Sequence, residues 1–421
     1  MLLGCIADDV TGATDLASML VRVGMRTVQT IGVPGEGGIG GEPDAVVVAL
    51  KTRTLPVAEA LAQSLAALAW LRAHGARQIY FKYCSTFDST DAGNIGPVAD
   101  ALQDALDTRF TIACPAFPVN RRTIYLGHLY VGDDLLSDST MRDHPLTPMR
   151  DANLVRVLGR QTRHRVDLVR WPVVRRGPEA VRAEFARLGA EGARYAVVDA
   201  IDDDDLITIG AACRDLTLVT GGSGIALGLP QNFRAQRLLP ERADAAALPA
   251  VSGKAAVLAG SCSAATNAQV AAMARTHTAI ALDPLEGGDA SALAARALEA
   301  VAADLAAGRP FVIYSTAAPD EVAAVQARLG RTQSASLIEA AFAALACGLV
   351  ERGVRRLVVA GGETSGAVVQ SLGIDALTIG PQIDPGVPWT ASTGTPTIAL
   401  ALKSGNFGAE DIFLRALAML E

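Results

Sequence analysis

Short, uninterrupted apolar segments alternate with alanine- and leucine-rich stretches of helical period along almost the whole chain. In the first half the segments are 2–7 (LLGCIA), 26–31, 45–50 (AVVVAL), 78–83 (QIYFKY), 110–113, 166–169, 195–198 (YAVV) and 216–219. In the second half they are 255–259 (AAVLA), 279–282, 311–314 (FVIY), 356–360 (RLVVA) and 397–401. Runs that are apolar at every position, rather than at every second one, predict strands buried on both faces. Stretches 57–73 and 293–306 predict crossover helices between them. The expected fold is α/β, with mostly parallel sheets flanked by helices.

Two regions break the alternation. Residues 228–253 carry three prolines and no periodic apolar face, which predicts an interdomain crossing. The expected division is therefore 1–228, a crossing over 229–252, and a second domain over 253–421. Residues 115–153 form a second irregular region, long for a loop in a compact domain and so expected to be functional or partly structured. A chain of 421 residues, half of them hydrophobic, supports two buried cores and excludes a disordered protein.

A net charge of -7, with no basic tract, argues against a nucleic-acid binder. Six scattered cysteines without a C-x-x-C pair, and no signal-peptide pattern, predict a reducing cytoplasmic setting without disulfides. No apolar run reaches the ~18 residues needed to cross a bilayer, so no membrane partner is expected.

Ligands of open α/β sheets collect at the carboxyl ends of strands, so the turns after each strand carry the candidate chemistry. Three turns in the second half are alike: Gly260-Ser261-Cys262-Ser263, Gly361-Gly362-Glu363-Thr364-Ser365-Gly366, and Lys403-Ser404-Gly405-Asn406-Phe407-Gly408. Glycine permits close backbone approach, Ser and Thr cap the helix that follows, and amides at a helix N-terminus bind anions. One such turn commonly only caps a helix; three in one domain point to nucleotide phosphates, although no P-loop motif is present. Lys403 reads either as a phosphate ligand or as a solvated surface lysine.

The first half offers carboxylates and cations. Asp8, Asp9 and, about one turn past Gly12, Asp15 follow the first strand. They suit a general base, a hydroxyl clamp or a Mg²⁺ ligand, and one of Asp8 and Asp9 also suits a helix cap. Lys51 and Arg53 follow the third strand; Lys82, Asp88, Ser89 and Asn94 lie in or after the fourth. Together they predict a pocket for a small hydroxy acid, its carboxylate held by a cation. His128 and His144 fall in the irregular region, and no nucleophile–His–Asp order supports a hydrolase triad.

The stretches IADDVTGATDLA (6–17), KYCSTFDSTDAGNIG (82–96), CPAFPVNRRTIYLGHLYVGD (114–133), HPLTPMRDANLVRVLGRQT (144–162), GGETSGAV (361–368) and LALKSGNFG (400–408) resemble the four-carbon acid sugar kinase family. The forms HPLTPM and GHLYVGD favour its 3-oxo-tetronate branch over the threonate and erythronate kinases. The resemblance implies an acid-sugar domain followed by an ATP domain, an active site in the cleft between them, and Mg²⁺-dependent phosphorylation of the terminal hydroxyl. It implies ATP contacts at Ser261 or Ser263, Gly361 to Thr364, and Lys403, Ser404 and Gly405.

The expected catalytic residues are Asp8, Asp9 and Asp15. The expected substrate residues are Thr11, Gly12, Lys51, Arg53, Lys82, Asp88, Ser89, Asn94 and His128. The metal ligands are left open, and a homodimer is compatible with this reading. The alternatives are a D-threonate or D-erythronate kinase and a non-catalytic sugar-acid sensor. Where the family commonly has Asn-Gly-Arg-Thr, this chain has Asn120-Arg121-Arg122-Thr123. Arginine enters positive φ less readily than glycine, which puts that loop's shape in question.

Overall fold

The computed structural model describes residues 1–35, 39, 42–144, 147–315, 328 and 330–420. Pro145 and Leu146 of the HPLTPM stretch lie outside the described residues. The chain divides into two compact units, Met1–Ala246 and Ala247–Glu421.

The first unit is built on strands β1 (Leu3–Ala7), β2 (Thr27–Ile31), β3 (Ala45–Ala49), β4 (Gln78–Lys82), β5 (Thr111–Cys114), β9 (Arg165–Val169), β10 (Ala193–Val198) and β11 (Leu218–Gly221). Its strand order is β2-β3-β1-β4-β11-β5-β10-β9, every pairing parallel. β1, β3 and β4 are buried at all positions, as runs without polar alternation require. The helix Val57–Ala73 falls where the helical period placed it and packs on β1. Register aligns the strand ends: Ala7 lies opposite Ala49 and Lys82, and Lys82 opposite Gly221. The turns after β3, β1, β4 and β11 therefore open on one edge.

The region 115–153, expected to be irregular, holds a small antiparallel sheet of β6 (Arg122–Tyr125), β7 (His128–Val131) and β8 (Asp134–Leu135). The β6–β7 turn places Leu126 at φ 49 and Gly127 at φ 74, the positive pair that a tight hairpin demands. Buried Asp199 holds it, its two oxygens accepting from Leu126 N and Gly127 N, each at 2.9 Å. A side chain from 72 residues away therefore stabilises a leucine in a glycine-like conformation.

The expected crossing over 229–252 is partly a correction. Residues Pro230–Ala235 form a helix with Pro230, Asn232 and Phe233 buried, and Asn232 Nδ2 donates to Gly210 O at 2.9 Å. Its proline stands at the first helical turn, where the missing N–H costs nothing.

The second unit contains β12 (Lys254–Ala259), β13 (Thr278–Ala281), β14 (Phe311–Tyr314), β15 (Val354–Ala360), β16 (Ala376–Asp384), β17 (Val387–Ser392) and β18 (Ala399–Lys403). The order is β13-β14-β12-β15-β18-β17-β16, parallel up to β18 and antiparallel beyond it. β16 and β17 were not expected, because Pro381 and Pro388 punctuate them; the pairing accommodates this by shifting register beyond Ile379.

Among the described residues, the helix segment Gln333–Glu351 is long and apolar enough to span a membrane by length and composition, with mean hydropathy 1.5. Its Ala341, Phe342, Leu345 and Leu349 are fully buried, and the helix packs against Ala290–Ala300 and Gly362–Ser371. Those contacts make it a core helix of this unit.

Candidate functional site

In the first unit, Asp9 caps the helix Val10–Arg22. Its Oδ1 accepts from Gly12 N at 3.0 Å and its Oδ2 from Thr11 Oγ1 at 2.9 Å. Thr11 and Gly12 thus serve the cap. Arg53 binds Asp8 through two nitrogens, at 3.0 and 2.8 Å, and Asp9 Oδ1 at 2.7 Å, with Asp88 Oδ2 at 3.9 Å. Burial raises the Asp9 pKa, but Arg53 and Lys82 outweigh it and hold that carboxyl below its usual range. For Asp8 burial prevails over Arg53, and its pKa lies above the usual value. The guanidinium expected to take a substrate carboxylate is already occupied by the protein's own carboxylates.

Asp15 differs from both. Ser223 Oγ donates to its Oδ2, whereas Oδ1 is buried without a hydrogen-bond partner. Burial pushes its pKa up to about 6, against the opposing pull of Lys82 and Ser223. Lys82 is 2% exposed, and its ammonium donates to Tyr83 O at 2.9 Å. A Cβ added at Gly12 would lie 2.9 Å from Lys82 Nζ, so glycine there leaves room for the ammonium.

The other expected substrate residues divide. Asp88 accepts from Thr86 Oγ1 at 2.6 Å, and Ser89 Oγ accepts from Gln161 Nε2 at 2.9 Å. Asn94 Nδ2 donates to Thr52 O at 2.8 Å and Leu55 O at 2.9 Å, fixing the loop that carries Arg53. Asp8, Arg53, Asp88, Ser89 and Asn94 share the lining of a cavity of about 10 Å³, room for about one water and too small for a sugar acid. Lys51 is exposed just beyond β3. His128 spends Nδ1 on Leu126 O at 2.9 Å, and its Nε2 lies 3.4 Å from Asn153 Nδ2; these bonds give it a place in the hairpin.

In the second unit, register sets Ala259 opposite Ala360 and Ala360 opposite Lys403. The three glycine-containing turns therefore follow three adjacent parallel strands. Their approach is close. A Cβ on Gly260 would fall 2.1 Å from Thr364 Oγ1, one on Gly405 2.5 Å from Ser261 Oγ, and Gly361 sits at φ 125. Ser263 caps the helix Ala264–Ala274, and Gly362 and exposed Glu363 open the helix Gly362–Ser371.

Lys403 is fully buried, which excludes the solvated surface lysine. Its ammonium donates to Gly405 O at 2.8 Å, Ser404 O at 3.0 Å and Thr266 Oγ1 at 3.1 Å. Burial lowers its pKa to about 7. Gly405 O also accepts from Ser263 Oγ at 2.6 Å and Thr266 Oγ1 at 2.9 Å. Because C=O and N–H of one trans peptide point in opposite directions, this pinning turns the Asn406 N–H away from Lys403 and Thr266.

Sequence reasoning missed Ser223, Thr266 and Arg122. Ser223 follows β11, so the strand-end rule applied to that strand finds it. Thr266 lies one turn into a helix and carries no local signal, whereas Arg122 stands in the stretch 114–133, where the departure at Arg121 pointed to the loop's shape and not to the side chain beside it. Among the described residues, no group of three or more His, Cys, Asp and Glu side chains is placed to hold a metal ion.

A family model described as a sugar-binding N-terminal domain matches residues 3–229, and one described as a nucleotide-binding C-terminal domain matches residues 256–413. The chain belongs to the four-carbon acid sugar kinase family. It is 60% identical to the 3-oxo-tetronate kinase of Cupriavidus necator and 61% identical to that of Burkholderia multivorans. Each alignment covers 100% of this chain and 97% of the relative. A crystal structure from Salmonella typhimurium LT2, provisionally described as a tRNA synthase, is 47% identical with TM-score 0.90. It covers 100% of this chain and 99% of that one. A Haemophilus influenzae structure is 46% identical with TM-score 0.79 and covers 99% and 100% respectively.

Proposed function

We propose that this chain transfers the γ-phosphoryl group of ATP to the terminal hydroxyl of a four-carbon sugar acid, with 3-oxo-tetronate as the substrate. The observation that carries this reading is the pairing of two strand-end sites of opposite chemistry in one chain. One holds a carboxylate oxygen with no protein partner beside a buried ammonium; the other is a cradle of glycine turns with a buried lysine beneath it. Full-length relatives that carry the name 3-oxo-tetronate kinase support the choice of acid.

Phosphoryl transfer requires positioning, charge neutralisation and a destination for the acceptor's proton. Asp15 Oδ1 fits the last need. It has a vacant lone pair, and a pKa of about 6 keeps it ionised yet basic near neutrality. The acceptor oxygen bonds to phosphorus as its proton passes to Asp15, and the bond to the β-phosphate oxygen breaks with its electron pair leaving on ADP. Lys82 lies within electrostatic reach of Asp15 and stabilises it as the base. Asp9 is a cap, and Asp8 and Arg53 form the scaffold beneath.

The cradle fits a nucleotide's phosphates. At Gly260 and Gly405 any side chain would strike a neighbouring turn, and the Asn406 N–H and the N-terminus of Gly362–Ser371 supply donors. Mg²⁺ would neutralise phosphate charge. It would be bound with the nucleotide, as Mg²⁺ commonly is through substrate phosphates and water. The tRNA-synthase description draws no support from this chain's charge of -7 and lack of basic tracts.

The test is coupled detection of ADP release with 3-oxo-tetronate, D-threonate, D-erythronate and no acid. Highest kcat/KM with 3-oxo-tetronate is expected. Preference for either other acid transfers the assignment to that branch, and no release with any acid refutes the kinase reading.

A further inference from the structure

The expected carboxylate ligand, Arg53, is neutralised by Asp8 and Asp9, so the acid's carboxylate needs another cation. Arg122 has the required properties. It is half-buried at the start of β6, and its Nη1 donates to Asn120 O. Its Nε is buried with no hydrogen-bond partner. Its charge is within electrostatic reach of Cys84, Asp88 and Asp15, which favour it, and of Arg121, which opposes it. Two of these, Asp15 and Asp88, belong to the strand-end site.

An unpartnered guanidinium N–H in the interior costs free energy unless a ligand satisfies it. A second unpartnered donor lies two residues away, the buried Nδ2 of Asn120. The available atoms are thus donors on Asn120 and Arg122 and an acceptor on Asp15. That set complements a hydroxy acid, whose carboxylate only accepts and whose hydroxyl donates.

The backbone also holds Arg122 rigidly. Phe117 N donates to Arg122 O at 2.8 Å and Arg122 N to Phe117 O at 3.1 Å. Arg121, in the left-handed conformation at φ 59, turns the chain into that bridge. A side chain that starts from a fixed backbone has less freedom to lose when substrate arrives.

We propose that Arg122, not Arg53, grips the carboxylate of the sugar acid, leaving the opposite end of the substrate to Asp15. Arginine's planar fork suits a carboxylate better than a lysine does. The proposal rests on the kinase reading for the identity of the ligand, but its test need not depend on turnover.

Isothermal titration of 3-oxo-tetronate, without ATP, into wild type, Arg122→Gln and Arg122→Lys measures carboxylate capture directly. Arg122→Gln is expected to weaken binding roughly 10- to 100-fold, the usual range for a charged hydrogen-bonded contact. Arg122→Lys should recover part of the loss. In steady state the KM for the acid should rise in Arg122→Gln with the KM for ATP unchanged. Binding by Arg122→Gln within about twofold of wild type overturns the proposal. So does an equal loss in the Gln and Lys variants, because a purely structural role is indifferent to retained charge. Wild-type binding of the acid without ADP release refutes the kinase reading alone, and the ratios among the variants still decide the role of Arg122.

Discussion

Replacing Asp15 by Asn should inactivate the protein and make it more stable, and both effects follow from one oxygen. The ionised carboxylate is buried with Oδ1 unsatisfied, and its pKa rises from 3.8 to about 6. A shift of roughly 2 units corresponds to about 3 kcal/mol. The sign follows from linkage. Because the folded state binds this proton more tightly than the unfolded state does, stability falls as pH rises from about 4 to about 6. Above that window the full cost is present; below it Asp15 is neutral in both states and costs nothing.

Asn cannot ionise, and its side-chain oxygen can still accept from Ser223. Urea unfolding of both proteins from pH 4 to pH 8 should therefore show similar stability at the acid end. The variant's advantage should grow to at most about 3 kcal/mol above pH 6, the lost attraction to Lys82 subtracting from it. The turnover of the wild type should rise with pH through about 6 as Asp15 loses its proton, and the variant should lose roughly 10²- to 10⁴-fold in kcat. A stability difference that does not change with pH, or near-wild-type turnover in the variant, refutes the reasoning.

Lys403→Met should raise the KM for ATP about tenfold or more while leaving the KM for the acid unchanged, since it removes three hydrogen bonds beneath the Gly405 turn. In the wild type, ATP affinity should fall as pH rises through about 7, because the ammonium rather than the neutral amine attracts phosphate; titration calorimetry across pH 6 to 9 measures this. Arg121→Gly should stabilise the protein by about 1 kcal/mol in urea unfolding, by relieving a left-handed non-glycine residue at φ 59. The ion pair it removes, Arg121 to Asp133 at 2.9 Å, is largely exposed and contributes little.

The loop around Arg121 shows how sequence and structure divide the information. The sequence raised a doubt that arginine could follow the glycine path. The structure places Arg121 on that path, and Arg122 depends on it for its direction. The segment Pro230–Ala235 and the strands β16 and β17 were equally hard to read locally. Their prolines occupy an N-terminal helical turn and register shifts, which only neighbouring elements define.

What the sequence determined by itself is the period. Unbroken apolar runs can be buried only on two faces, so parallel strands between helices followed, and strand ends marked where Asp8, Asp15 and Lys82 would gather in one unit and Gly361 and Lys403 in the other. Which of those side chains remain available to a ligand was decided by tertiary structure. Asp9 and Arg53 lie 44 positions apart, and Asp15 and Ser223 lie 208 apart. Free lone pairs and free N–H groups are what is left after such distant partners have been satisfied, and that remainder has no local signature in the chain.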